Sequence, residues 1–384
     1  MTNQRTNRQR ENPLLAQSLP EWHDWRWQLS HAISNLTDLN TIPAAGMWLA
    51  DLGEDERSRL DRVMDGYRMG ITPYYLNLIR TFDSSDPIFA QIIPSKAEAS
   101  LSPDELEDPI GDDNPDLNTH PVRVITHRYP DRVLFYPTPM CAVYCRYCFR
   151  KRMVGQAAYA PNPTEIAEGM AYITAHPEIR EVIFTGGDPL MLPDDRLIKI
   201  MREAATIKHI RFLRIHSRLP VVNPFRLTDR LADKLASLGK SVRIVTHFNH
   251  AVEVTETAIQ WINRLLEHKI SVLNQSVLLN GVNADPKLLE TLLLKLAEHG
   301  IQPYYLHHPD KVKGTGHFRI TIARGREIYR ELIQRLPGYA VPRYVLDIPG
   351  GYGKIPVDND HVIPVAAGKY RLISPVGIER EYAD

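Results

Sequence analysis

The chain has 384 residues, with 46 basic and 46 acidic side chains, so its formal net charge is zero. That balance leaves no electrostatic footprint for nucleic acid, no apolar run reaches the length needed to cross a bilayer, and the polar first twenty residues lack a hydrophobic signal core. Three cysteines and no disulfide framework suit a reducing, cytoplasmic compartment.

Residues 1–18 are rich in Gln, Asn, Arg and Thr and read as a disordered tail. Order is expected from about Trp22. The stretch Glu21 to Trp27 carries three tryptophans, and Leu29, Ile33 and Leu36 extend an apolar stripe at helical spacing, which suits either core or a subunit contact. Residues 56–80 suggest a helix broken at Pro73 with a second short helix after it. From Ser100 to Asn118 the chain is acidic, with Glu105, Glu107, Asp108, Asp112, Asp113 and Asp116, and reads as a solvated linker closing an N-terminal helical region, 19–120.

Beyond the linker the pattern alternates. β-rich runs at 132–138, 181–185, 210–216, 242–248, 270–279 and 302–307 are separated by amphipathic stretches near 163–175, 193–205, 226–238, 253–267 and 285–299, with another near 322–335. Six β/α repeats over a core spanning 121–338 predict an α/β fold with a parallel sheet, curved as a partial barrel or wound open. Either form places chemistry at the carboxyl ends of the strands. A C-terminal segment, 339–384, follows.

All three cysteines stand directly after the first of these strands, as Cys141-x3-Cys145-x2-Cys148. Three thiolates suit a [4Fe-4S] cluster with one iron left open. A structural zinc site would need a fourth ligand, and the flanking pattern of a zinc knuckle is absent. Tyr147 and the basic residues around it would shield the cluster. The spacing resembles the signature of the radical S-adenosylmethionine (SAM) superfamily, which implies that SAM caps the open iron. Gly186-Gly187-Asp188 follows the second strand, where a glycine pair serves either a plain turn or the close approach of a ligand. The resemblance implies that these three residues lie against the SAM aminoacyl group. The third strand ends in His216-Ser217-Arg218 and the fourth leads into His247-Phe248-Asn249-His250, all polar candidates at a barrel mouth; Ser217 is the one assigned to the cofactor.

Near the C-terminus, Lys354 lies in a glycine-rich turn between apolar flanks. Partial desolvation there favours the neutral amine that attacks an aldehyde. Taken with Trp25-Arg26-Trp27, Gly70-Ile-Thr-Pro-Tyr-Tyr75, His127 to Leu134, Ser217 to Val222, Asn274 to Leu279 and Pro349-Gly-Gly-Tyr-Gly-Lys354, the chain resembles the lysine 2,3-aminomutase family over nearly its whole ordered length. That resemblance implies a partial (β/α)6 TIM-like barrel and three cofactors, a [4Fe-4S] cluster, SAM and pyridoxal 5′-phosphate (PLP). Lys354 matches the lysine that bonds PLP, and Arg128 and Arg132 match the contacts to its phosphate. Arg150 matches the arginine for the substrate carboxylate, although charge compensation of the cluster also fits it. Asp310 and Asp347 match the acids that hold the distal ammonium of lysine.

Two carboxylates closing on one amine favour a cationic substrate. The reading is therefore migration of the α-amino group of L-lysine from C2 to C3, driven by a reducing electron donor. The same reaction in the branch that modifies elongation factor P, or an aminomutase for arginine or glutamate, is the alternative; an iron-sulfur carrier without turnover would not need Lys354 or the paired acids. Lys311 and Lys313 would oppose a cationic substrate if they turned inward. Three features depart from the family: no cysteine follows Lys354, so structural zinc between subunits of the expected homo-oligomer is not anticipated; Tyr147 stands where histidine is frequent; and the cysteine loop shares features with the shorter elongation-factor relatives.

Overall fold

The computed structural model describes residues 17–114, 117, 119–358, 362–367, 369–373 and 379–383; most of the expected tail, residues 1–16, lies outside the described residues. Strands β1 (Ile125–Tyr129), β2 (Arg132–Thr138), β3 (Glu181–Gly186), β4 (Phe212–His216), β5 (Ser241–Thr246), β6 (Ser271–Val277), β7 (Gln302–His307), β8 (Arg343–Asp347) and β9 (Lys354–Pro356) form one sheet in simple sequence order. Strands β2 to β8 are parallel, while β1 and β9 are antiparallel additions at the two edges. The sheet curls as a half-barrel with its helices in the crossovers. It is one parallel strand wider than expected, because 343–347, read above as part of a separate C-terminal segment, pairs with β7. A second, three-stranded antiparallel sheet comprises β10 (Val362–Ala366), β11 (Lys369–Ile373) and β12 (Glu379–Ala383).

The local sequence explains where the crossover helices start. Asn162, Thr228, Thr255, Asp285 and Thr321 each accept a backbone N–H from the first turn of the helix that follows. Each such cap stabilises by about 1 kcal/mol. One helix begins later than expected, at Asp229, since Pro224–Arg226 form a separate 3-10 turn. Phe135, Phe184, Ile215 and Ile244 are fully buried where strands meet helices, each contributing roughly 1.5–3 kcal/mol by leaving water.

The N-terminal region differs from its reading in two places. The helix Glu54–Gly66 ends well before Pro73; the chain then runs extended, Ile71 bridges Ile33, and Pro73 starts a short helix, Pro73–Leu76. Proline's fixed φ suits a first helical turn, where its missing N–H costs nothing. Trp22 and Trp25 are buried in the main core with Trp27 packed against it, so the aromatic stripe serves as core.

The acidic segment is not a solvated linker. Asp104 pairs with Lys311 and Arg319, Glu107 with Lys313, and Asp108 and Asp113 with Arg152. Glu105 and Asp112 are buried. Leu106 bridges Val312, and the side chain of Asn114 donates to the Gly350 carbonyl. Residues 102–114 are thus tied to the loops after β2, β7 and β8. Its neutralising partners are remote in sequence, so its own composition displays only the acids.

Candidate active site

A cavity of about 650 Å³ opens at the carboxyl ends of the parallel strands, and its lining includes the three cysteines, Lys354 and every residue matched above to a cofactor or to the substrate. Cys141, Cys145 and Cys148 form one part of its wall, and Lys354 with Asp347 and Asp310 another.

The cysteine loop follows β2 and is clipped to the N-terminal region, with Tyr144 N–H donating to Gly70 O at 3.1 Å and Arg146 N–H to Gln91 O at 2.9 Å. Fully buried Arg146 meets Glu98 through two contacts of 2.7 and 2.8 Å, and Lys151 reaches the same carboxylate at 3.2 Å. Burial pushes the Glu98 carboxyl up, but the charge and hydrogen bonds of Arg146, with Lys151, outweigh it and hold the group below its ordinary range.

Gly187 answers the question left open by the sequence. A Cβ there would lie 2.4 Å from the Pro139 carbonyl carbon, and the Gly187 and Asp188 N–H groups donate to Thr138 O and Met140 O at 2.9 and 2.8 Å. The close approach is therefore to the chain's own cysteine loop. Asp188 accepts the backbone N–H groups of Leu190, Arg218 and Leu219 at 2.8–3.1 Å, and Ser217 also hydrogen-bonds it. Burial raises the Asp188 carboxyl, and these donors pull it back. The carboxylate of Asp188 thus ties together the loops that follow the neighbouring strands β3 and β4.

The Tyr147 hydroxyl accepts from Asn249 Nδ2 at 2.6 Å, and its ring stands edge-on to Phe318. Arg218, noted above only as part of a motif, proves central. Its Nη1 is 2.6 Å from Cys145 Sγ, while Nη2 reaches Tyr75, Gln91 and Glu253 at 2.6–2.9 Å.

At the other end, the β8–β9 hairpin sets Asp347 directly opposite Lys354 in register, with the ammonium 2.8 Å from the carboxylate. Gly350, Gly351 and Gly353 all have positive φ in the turn between them. Asp310 faces the cavity near this pair, and burial followed by the charge of Asp347 pushes its carboxyl up to about 7. Lys311 and Lys313 turn away to Asp104 and Glu107 and leave the acids facing the cavity. Arg132 lies over the Tyr129 ring at 3.9 Å and pairs with Asp131. Arg128 and Arg150 share Asp112, and Arg150 also donates to the Tyr136 hydroxyl at 3.0 Å.

Three histidines at strand ends line the space between the two parts. Burial holds His247 and His307 down to about 3 and about 4, and burial with help from the Arg214 charge holds His216 well below its ordinary range, so all three are neutral. His216 and His247 are among the strand-end candidates named from the sequence, and His307, the last residue of β7, follows from the same placement at a strand's carboxyl end.

The donor set fits the implied groups. Cys141 and Cys148 are pushed up, Cys148 to about 11, by burial and by neighbouring negative groups that include the other thiols, a crowding that bound irons would reverse because a coordinated thiol is deprotonated. Nε of Arg128 and Arg150 and Nε2 of His216 and His307 are buried without a partner, and all four residues line the cavity. The two guanidinium donors suit ligands with phosphate and carboxylate groups.

The sequence profile of the radical SAM superfamily matches residues 135–292. The chain is 40% identical to the L-lysine 2,3-aminomutase of Methanococcus maripaludis, over 96% of this chain and 83% of that protein. It is also 40% identical to a putative L-lysine 2,3-aminomutase of Aquifex aeolicus, over 95% and 96%. A glutamate 2,3-aminomutase of Clostridioides difficile is 35% identical over 89% and 78%. With a cavity that joins a three-cysteine loop to a hairpin lysine, and with similarity running through nearly the whole chain, the protein belongs to the lysine 2,3-aminomutase family of radical SAM enzymes.

Proposed function

We propose that this enzyme moves the α-amino group of L-lysine from C2 to C3, giving β-lysine. The observation that carries the choice of substrate is the pair Asp310 and Asp347 facing the same cavity as Lys354 and the three cysteines. When bound, the cluster with SAM supplies the carbon radical that takes hydrogen from the substrate, and PLP supplies the aldehyde that carries the migrating nitrogen.

In this reading Cys141, Cys145 and Cys148 hold the cluster, and Lys354 bonds PLP, whose phosphate Arg128 and Arg132 contact. Gly186, Gly187, Asp188, Ser217 and Tyr147 frame the SAM side, with Asp188 and Ser217 acting through the loop they fix. Arg150 takes the substrate carboxylate while Asp310 and Asp347 take its distal ammonium. Asp347 pairs with the Lys354 ammonium in the ligand-free chain, and bonding of Lys354 to PLP would free that carboxylate for the substrate's distal ammonium. Held at both ends, the substrate presents its β-carbon at a fixed place, which is worth several kcal/mol in a reaction between bound groups. Apolar side chains in the wall, among them Leu134, Val277 and Leu279, keep water away from the reacting atoms.

A glutamate side chain would place its carboxylate against two acids, so the reading as a glutamate aminomutase needs like charges to meet. The test is anaerobic incubation of the reconstituted protein, PLP, SAM and reductant with L-lysine, L-arginine or L-glutamate in turn, followed by chiral product analysis. Formation of 3,6-diaminohexanoate from lysine, in clear preference to products from the others, is expected. Turnover of glutamate or arginine alone would overturn the choice of substrate.

A further inference from the structure

Arg128 comes from β1 and Arg150 from the cysteine loop, yet a single carboxylate binds both. Asp112 Oδ1 accepts from Arg128 Nη2 at 2.9 Å, and Oδ2 accepts from Arg150 Nη2 at 3.3 Å. Asp112 is only 4% exposed. Its main chain is fixed as well: its N–H donates to Asp108 Oδ1 at 3.0 Å, and its carbonyl accepts from the Thr119 hydroxyl at 3.0 Å. Arg128 Nη2 also donates to the neighbouring Ile110 carbonyl at 2.9 Å. The carboxylate is therefore held fixed behind the two arginines, which themselves line the cavity.

We propose that Asp112 is a positioning residue that aims two anion-binding arginines into the cavity and links them. It engages the Nη2 atom of each guanidinium, and the Nε atom of each is left buried without a partner. One carboxylate between two guanidiniums offsets their mutual repulsion and still leaves the trio positive, so attraction for an entering anion persists. A side chain that sets both planes at once lets the two ends of the bound ligands be placed by a single group. This rests on the assignment above of Arg128 to the cofactor phosphate and Arg150 to the substrate carboxylate.

The test is equilibrium dialysis of the cluster-reconstituted protein against ligands with and without the anion: PLP against pyridoxal, and then, on the PLP-loaded protein, L-lysine against 1,5-diaminopentane. In Asp112→Asn, binding of PLP and of lysine is expected to weaken by about tenfold, with pyridoxal and diaminopentane moving less than about twofold. Asp112→Glu, which keeps the charge, is expected to recover part of both losses. Equal loss for all four ligands would mean a general structural role and overturn the proposal. So would no change, or tighter binding of the two anions, which would make Asp112 their competitor. If the wild-type protein itself fails to prefer PLP over pyridoxal and lysine over diaminopentane, the arginine assignments fail instead.

Discussion

Among single residues, Asp310 makes the sharpest statement. Its carboxyl titrates near 7 in the ligand-free protein because it is buried and Asp347 adds like charge. A folded-state value above the ordinary one stabilises the protein fully below the ordinary carboxyl range, and that contribution is lost as pH rises through about 7. Binding of a cationic side chain runs the other way, since it needs the ionised carboxylate. The KM for lysine should therefore rise as pH falls below about 7, and in Asp310→Asn it should be higher throughout and flat across that window. A wild-type KM that does not change between pH 6 and 8, measured with saturating cofactors, would contradict this picture. Lys354 gives an independent check. Borohydride reduction of PLP-loaded protein should fix the cofactor mass on the peptide containing Lys354, and Lys354→Ala should abolish that label.

Secondary-structure elements set how these residues meet. The β8–β9 hairpin makes Asp347 and Lys354 cross-strand partners, so the acid and the amine are placed by register rather than by side-chain reach. The end of β3 does the same for the cysteine loop through the main chain of Gly187. Gly187→Ala would force its new methyl into the backbone of Pro139 and Met140. A loss of about 1–3 kcal/mol is expected from thermal unfolding, together with a lower iron content after reconstitution. Normal stability and full iron loading would show that the two loops have slack at that point.

Over the whole molecule, the half-barrel supplies a rigid wall and the 102–114 segment closes one side of the mouth with ion pairs to remote loops. Most of these pairs are partly exposed and worth at most about 1 kcal/mol each, so they order the segment without supporting the barrel. Removing Arg319, which meets both Asp104 and Glu105, should speed amide exchange across 102–114 several-fold and leave β3 to β6 unchanged. Equal acceleration in the strands would mean that the segment is part of the cooperative core. The sequence by itself determined the cysteine spacing, the strand-helix alternation and the lysine in its glycine turn, because each is written within a few neighbouring residues. Tertiary structure alone decided that 343–347 is a seventh parallel strand, that an apparent acidic linker delivers Asp112 between two arginines, and that Gly187 serves the chain's own loop. The reason is physical: a short strand is defined by its hydrogen-bonding neighbour, a buried charge by its counter-ion and a close approach by the backbone it touches, and here each of those partners lies tens of residues away.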